Sequence, residues 1–97
     1  MFSERIKELR IQKQMPQRQL AAALDIDTAT YCKIEKGERK AKREQVEIIA
    51  QLLSVDKNEL VTLWLADKVY DVVGDETNAQ DILNVVNENI VRYGQDI

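Results

Sequence analysis

The 97-residue chain has no histidine, one cysteine, one proline, three glycines and five aromatic residues. Without histidine, and with Cys32 alone, zinc sites of the Cys/His type and every histidine-based catalytic arrangement are excluded. One cysteine makes no internal disulfide, which suits a reducing compartment. The scarcity of proline, glycine and alternating β-branched runs argues for an all-α protein. No apolar run approaches the roughly 20 residues needed to span a bilayer. The start, Met1-Phe2-Ser3-Glu4-Arg5, lacks a signal pattern, so the expected location is cytoplasmic, with no membrane partner. The carboxylates are scattered along amphipathic stretches and read as solvated faces. No enzyme, cofactor or metal is expected.

What the chain does have is a split of charge. Residues 1–45 carry eleven Lys/Arg against seven Asp/Glu, a net +4, and residues 46–97 carry three against ten, a net −7. The overall balance of −3 argues against nucleic acid, whereas the split places a basic half next to an acidic remainder and argues for it.

Helical spacing organises both halves. Phe2, Ile6 and Leu9 mark a first amphipathic helix over 2–14, broken at Met15-Pro16. Pro16 fits the first turn of a second helix, whose buried stripe is Leu20, Ala21 and Leu24. Asp25-Ile26-Asp27 reads as a tight turn, and Thr28 opens a third helix with Tyr31 and Ile34 inward, ended by Gly37. Residues 38–43, Glu-Arg-Lys-Ala-Lys-Arg, form a basic connector. Val46, Ile49, Ala50 and Leu53 mark a fourth helix. Asp56-Lys57-Asn58-Glu59 is the acidic analogue of a capping box and opens a long fifth helix to about Val73, stopped by Gly74. Thr77-Asn78-Ala79-Gln80 reads as a second capping box before a sixth helix fading near Gly94.

The second and third helices have the requirements of a helix-turn-helix. Ala21 is small where two helices cross, Ile26 anchors the turn, and Thr28, Ala29, Thr30 and Lys33 leave the outer face of the third helix short or cationic. The chain here resembles the phage-repressor-like XRE family of bacterial helix-turn-helix regulators. Arg10, Gln17, Leu20-Ala21, Leu24, Ile26, Lys33-Ile34-Glu35 and Gly37 carry the likeness, followed by Ile49-Ala50, Leu53, Val55 and Leu60. It covers residues 1 to about 61 and implies a compact five-helix domain that binds operator DNA, usually as a dimer. It also implies that Gln17 touches a phosphate and braces the third helix, that Thr28, Ala29 and Lys33 occupy base-reading positions, and that Arg10 and Glu35 form a salt bridge behind that helix. Two positions depart from the family pattern, Asp25 and Ser54, each where glycine is common.

Lys42 and Arg43 lie at the expected start of the fourth helix, where positive charge opposes the helix dipole by about 0.3–1 kcal/mol per residue. No Ser, Thr or Asp caps that end. A phosphate on the exposed N–H groups turns this liability into a binding site. Arg39, Lys40, Lys42 and Arg43 are therefore read as a backbone clamp, with Arg18 and Lys36 as further cations of the DNA-binding face.

From Leu60 to Val73, ten of fourteen residues are apolar, more than one surface helix buries along a single stripe. Leu60, Leu63, Trp64, Tyr70 and Val73, with Ile82, Val86 and Ile90 of the sixth helix, are read as a dimerisation surface. The expectation is an all-α chain with a DNA-binding domain over 1–60 and a C-terminal helical dimerisation extension over 61–97. Its function is read as a regulator, and more narrowly as a repressor that binds operator DNA as a homodimer. A restriction–modification controller, a phage-type repressor and an antitoxin stay open within that class. The alternative is an antitoxin-like adaptor whose C-terminal helices bind a partner protein.

Overall fold

Six helices and no strand make up residues 1–94, the residues described in the computed structural model. They are α1 (Phe2–Gln12), α2 (Gln17–Ala23), α3 (Thr28–Glu35), α4 (Arg43–Leu52), α5 (Lys57–Val73) and α6 (Ala79–Tyr93). Among the described residues no helix is long and apolar enough to cross a membrane.

The first four helices end alike. In each, the second residue past the helix donates to a carbonyl three positions back and the next residue donates to one five positions back. Gln14 and Met15 close α1 onto Ile11 and Arg10, Asp25 and Ile26 close α2 onto Ala22 and Ala21, Gly37 and Glu38 close α3 onto Ile34 and Lys33, and Ser54 and Val55 close α4 onto Gln51 and Ala50. This is the Schellman arrangement, which requires a left-handed residue at the pivot. The pivots are Gln14, Asp25, Gly37 and Ser54, with φ of 54°, 55°, 76° and 57°. Met15, Ile26 and Val55, the residues after three of the pivots, pack against the core and pull the chain back over it. Only one pivot is glycine, so the other three hold backbone strain. Gln14→Gly and Ser54→Gly are each expected to raise unfolding free energy by about 0.5–1 kcal/mol, measured as an upward shift of the urea midpoint at constant slope. A lowered midpoint contradicts the strain.

The chain divides into two compact units, residues 1–67 and 68 onward, seven residues past the expected boundary. The first unit is built around Phe2, Ile6 and Leu9 of α1, Leu20 of α2, Tyr31 and Ile34 of α3, and Val46, Ile49 and Leu53 from α4 and its cap. Leu60, Val61 and Trp64 of α5 complete that core. The same helix caps another: the Phe2 amide donates to Asp67 Oδ2 at 3.0 Å, satisfying one of the donors that the start of α1 leaves over. The first half of α5 is thus part of the N-terminal unit. This corrects the reading of Leu60 and Trp64 as dimerisation residues, since neither presents a surface to a partner; Leu63 is half-buried against the same core.

Helix starts differ from expectation in two places. Asp56 caps α5 through the Asn58 amide at 2.9 Å, but Glu59 turns to Arg5 at 3.1 Å instead of completing the box. The second box does not form: Asn78 is the cap of α6 and makes no side-chain cap bond, and Gln80 donates to Asn84.

Within the second unit Val73 is buried, so it too presents no surface to a partner and its reading as a dimerisation residue is corrected; Gly74 ends α5 by donating to the Tyr70 carbonyl. A Cβ at Gly74 stands 2.7 Å from that carbonyl oxygen, so only glycine fits. Helix α6 has no buried residue, although it is amphipathic. Ile82 is half-buried, while Val86 and Ile90 are exposed, as are Leu83, Val85 and Val91.

Candidate nucleic-acid interface

The positioning of α3 begins at its first residue. Asp27 caps the helix by accepting from the Thr30 amide at 2.7 Å, which fixes where the first turn starts. Hydrogen bonding from Thr30 holds the Asp27 carboxyl below its ordinary range. Ala21 is buried where α2 meets α3, and its size lets the two helices approach. Tyr31 and Ile34 are buried, so α3 has one permitted rotation about its axis. At 100° per residue that rotation turns Ala29, Lys33 and Lys36 to the opposite side, with Thr28 at its edge.

Behind α3 a polar chain joins three helices. Arg10 of α1 meets Glu35 of α3 with two bonds, Nε to Oε2 at 2.7 Å and Nη2 to Oε1 at 3.1 Å, and its Nη1 donates to the Met15 carbonyl at 2.9 Å. Gln17 at the start of α2 donates through Nε2 to Glu35 Oε1 at 3.3 Å, and its Oε1 accepts from the Cys32 thiol at 2.9 Å. The Glu35 side chain is 2% exposed and that of Arg10 14%. Burial pushes the Glu35 carboxyl up, but the hydrogen bonds from Arg10, aided by Gln17, outweigh it and leave it below its ordinary value. The Tyr31 hydroxyl beside it favours the charged carboxylate too, although it stops short of a well-formed hydrogen bond. Burial, then that carboxylate, drive the Tyr31 pKa far upward.

The pair expected from the resemblance is therefore present, and Gln17 is braced against α3 at both ends of its amide. Cys32 is half-buried and serves as a hydrogen-bond donor within this chain of contacts. Of the third-helix residues singled out in the sequence, Thr28, Ala29, Lys33 and Lys36 are exposed together, while Thr30 is half-buried with its amide engaged by Asp27.

The basic connector continues from α3. Arg39, Lys40, Lys42 and Arg43 are all exposed, as is Arg18 on α2. Among the described residues no ion pair ties Arg18, Lys33, Lys36, Arg39, Lys42 or Arg43, whereas Arg5 and Arg10 are both paired with glutamates. The start of α4 is not wholly open: although no Ser, Thr or Asp caps it, Gln45 reaches back to accept from the Lys42 amide at 2.9 Å. The remaining first-turn amides of α4 still lack intrahelical acceptors. Trp64, read from the sequence as a dimerisation residue, has a contact that the sequence did not foretell. The Trp64 indole N–H, buried, donates to the Ala41 carbonyl at 2.8 Å, across 23 residues, and no periodicity or spacing signals that contact.

The arrangement presents a helix face of short side chains beside exposed cations, of which Arg18, Lys33, Lys36, Arg39, Lys42 and Arg43 stand in no ion pair among the described residues. The helix-turn-helix family profile matches residues 6–60. Among curated proteins, a cryptic phage CTXphi transcriptional repressor, RstR of Vibrio cholerae, is 36% identical over 62 residues, which are 64% of this chain and 56% of that protein. The chain thus matches little more than half of that relative's length. No solved structure matches.

Proposed function

The chain belongs to the helix-turn-helix family, of the phage-repressor-like XRE type, and from that premise we propose that it binds operator DNA as a homodimer and represses transcription. It is a regulator and not an enzyme. The observation that carries the reading is the outer face of α3: Thr28, Ala29 and Lys33 are exposed there beside the exposed cations Lys36, Arg39, Lys42 and Arg43, while the Arg10–Glu35–Gln17–Cys32 contacts hold the helix from behind. Helix α3 enters the major groove, and Lys33 meets guanine or a phosphate. Arg18, Lys36, Arg39, Lys40, Lys42 and Arg43 meet backbone phosphates. The dimer forms through the second unit, where Tyr70, Val86 and Ile90 are exposed.

Selection of bound duplexes from random DNA tests this, followed by a salt titration on the selected site. Each phosphate contact contributes about −0.9 to the slope of log affinity against log salt. A flat response, or no enriched motif, rejects the reading. Two substitutions separate the roles. Lys42→Ala is expected to weaken binding to all sequences alike and to make the slope shallower by about one. Lys33→Ala is expected to relax preference at one or two positions, by about 1–3 kcal/mol per lost base contact. An unchanged motif for Lys33→Ala removes it from base reading.

A second reading, an antitoxin-like adaptor, is favoured by one observation, the lack of any buried residue on α6. Sedimentation of the purified chain decides between them: a homodimer covers its own apolar surface, and a monomer leaves it for a different protein.

A further inference from the structure

The Arg39–Arg43 segment is held at both ends by its neighbouring helices. Glu38 and Arg39 donate to the Lys33 carbonyl at 2.9 and 3.2 Å, closing it onto α3, and the Lys42 amide donates to Gln45 of α4. Its middle is held from elsewhere. Ala41 is buried between exposed Lys40 and Lys42, and its carbonyl accepts from Trp64 at 2.8 Å. Trp64 lies on α5, outside residues 6–60 that match the family, and is itself a core residue, so the indole has little freedom. A buried carbonyl has no water to replace that donor, which makes the bond costly to lose. With the Ala41 backbone pinned inward, the side chains on either side of it are turned outward.

We propose that Trp64 is a positioning residue for DNA binding: its indole N–H, on the Ala41 carbonyl, sets the pose in which the connector offers Arg39, Lys40, Lys42 and Arg43 to the DNA backbone. The inference rests on the DNA-binding reading above and adds to it a dependence on a residue beyond the matched domain. Trp64 touches no base, so its loss acts on phosphate contacts and leaves sequence preference alone. A role confined to stability lowers the melting temperature without changing the salt slope of the folded protein.

The test uses the full chain with Trp64→Phe, which keeps an aromatic ring in the core and removes the donor. The expected result is affinity for the selected duplex about three- to tenfold weaker at fixed salt, a salt slope shallower by about one, and an unchanged selected motif. Equal affinity and equal slope overturn the positioning role while leaving the DNA reading intact. A native chain that binds no duplex overturns both. Should Trp64→Phe fail to fold, the native chain decides. Trp64 is its single tryptophan, so its indole N–H gives one nitrogen-15 correlation signal. That signal is expected to shift on saturation with the selected duplex together with the amides of Arg39 to Arg43. Connector amides that shift while the indole signal stays fixed overturn the proposal.

Discussion

Glu35→Gln is expected to cost about 3 kcal/mol of folding stability at neutral pH, the lower end of what breaking a buried ion pair costs. The carboxylate side chain is almost wholly removed from water and accepts two bonds from Arg10 and one from Gln17. Neutralising it leaves the Arg10 guanidinium mostly buried with no charge to answer it. The substitution also changes the acid limb of stability. Glu35 has a lowered pKa in the fold, so its contribution is fully present above the ordinary carboxyl value of 4.5 and is lost as pH falls through the lowered one. Glu35→Gln removes that share of the limb. Part of the limb persists, because the Asp27 and Glu4 carboxyls are also held low. Urea unfolding at neutral pH and at several values below 4.5 measures both effects. A variant within 1 kcal/mol of the native chain at neutral pH, or one with an identical acid limb, contradicts the argument.

The consequence for DNA follows from the same contacts. Arg10, Glu35, Gln17 and Cys32 tie α1, α2 and α3 together. Glu35→Gln turns one of the two carboxylate acceptors into an NH2 group facing the Arg10 guanidinium, so the tie between α1 and α3 loosens and the face carrying Thr28, Ala29 and Lys33 is held less firmly from behind.

How far the sequence foretells this site depends on how local each contact is. The turn between α2 and α3 was legible because Ala21, Ile26 and the small residues after Asp27 have positional requirements a few residues apart. The Arg10–Glu35 pair was legible only through the family resemblance; the residues lie 25 apart and a lone arginine and glutamate specify nothing. The left-handed pivots at Asp25 and Ser54 were marked by the glycines common there, whereas Gln14 had no such mark and its conformation follows from the packing of Met15. Trp64 was read outward because α5 is apolar nearly all round. Composition does not say which side the first unit claims, and the claim on Trp64 comes from the buried carbonyl of Ala41. The second capping box failed for a related reason: Thr77 has a suitable side chain, but the backbone starts α6 one residue later.

A chain ended at Tyr70 is expected to fold, to remain monomeric and to bind the selected operator about a hundred- to ten-thousandfold more weakly. The end lies three residues past Asp67, so the first unit keeps Leu60, Val61 and Trp64 in its core and the Asp67 acceptor for α1. It loses α6, whose Val86 and Ile90 are exposed, and the end of α5 with exposed Val72. Two linked recognition helices set about 34 Å apart engage both half-sites, each raising the effective concentration of the other, and a monomer forfeits that gain. A chain ended at Leu60 is expected to behave differently. It lacks Trp64, worth about 3–5 kcal/mol when a buried tryptophan is removed, and the Asp67 bond to α1, worth about 1 kcal/mol as a helix cap. Small domains hold roughly 5–15 kcal/mol in all, so a loss of about 4–6 kcal/mol is enough to leave a chain near the low end of that range marginal or unfolded. Circular dichroism and sedimentation of the three chains at micromolar concentration, with binding measured at one salt concentration, separate the cases. A full chain that sediments as a monomer, or a Tyr70-ended chain that still dimerises, rejects the second unit as the dimerisation element. A well-folded Leu60-ended chain rejects the boundary at Asp67.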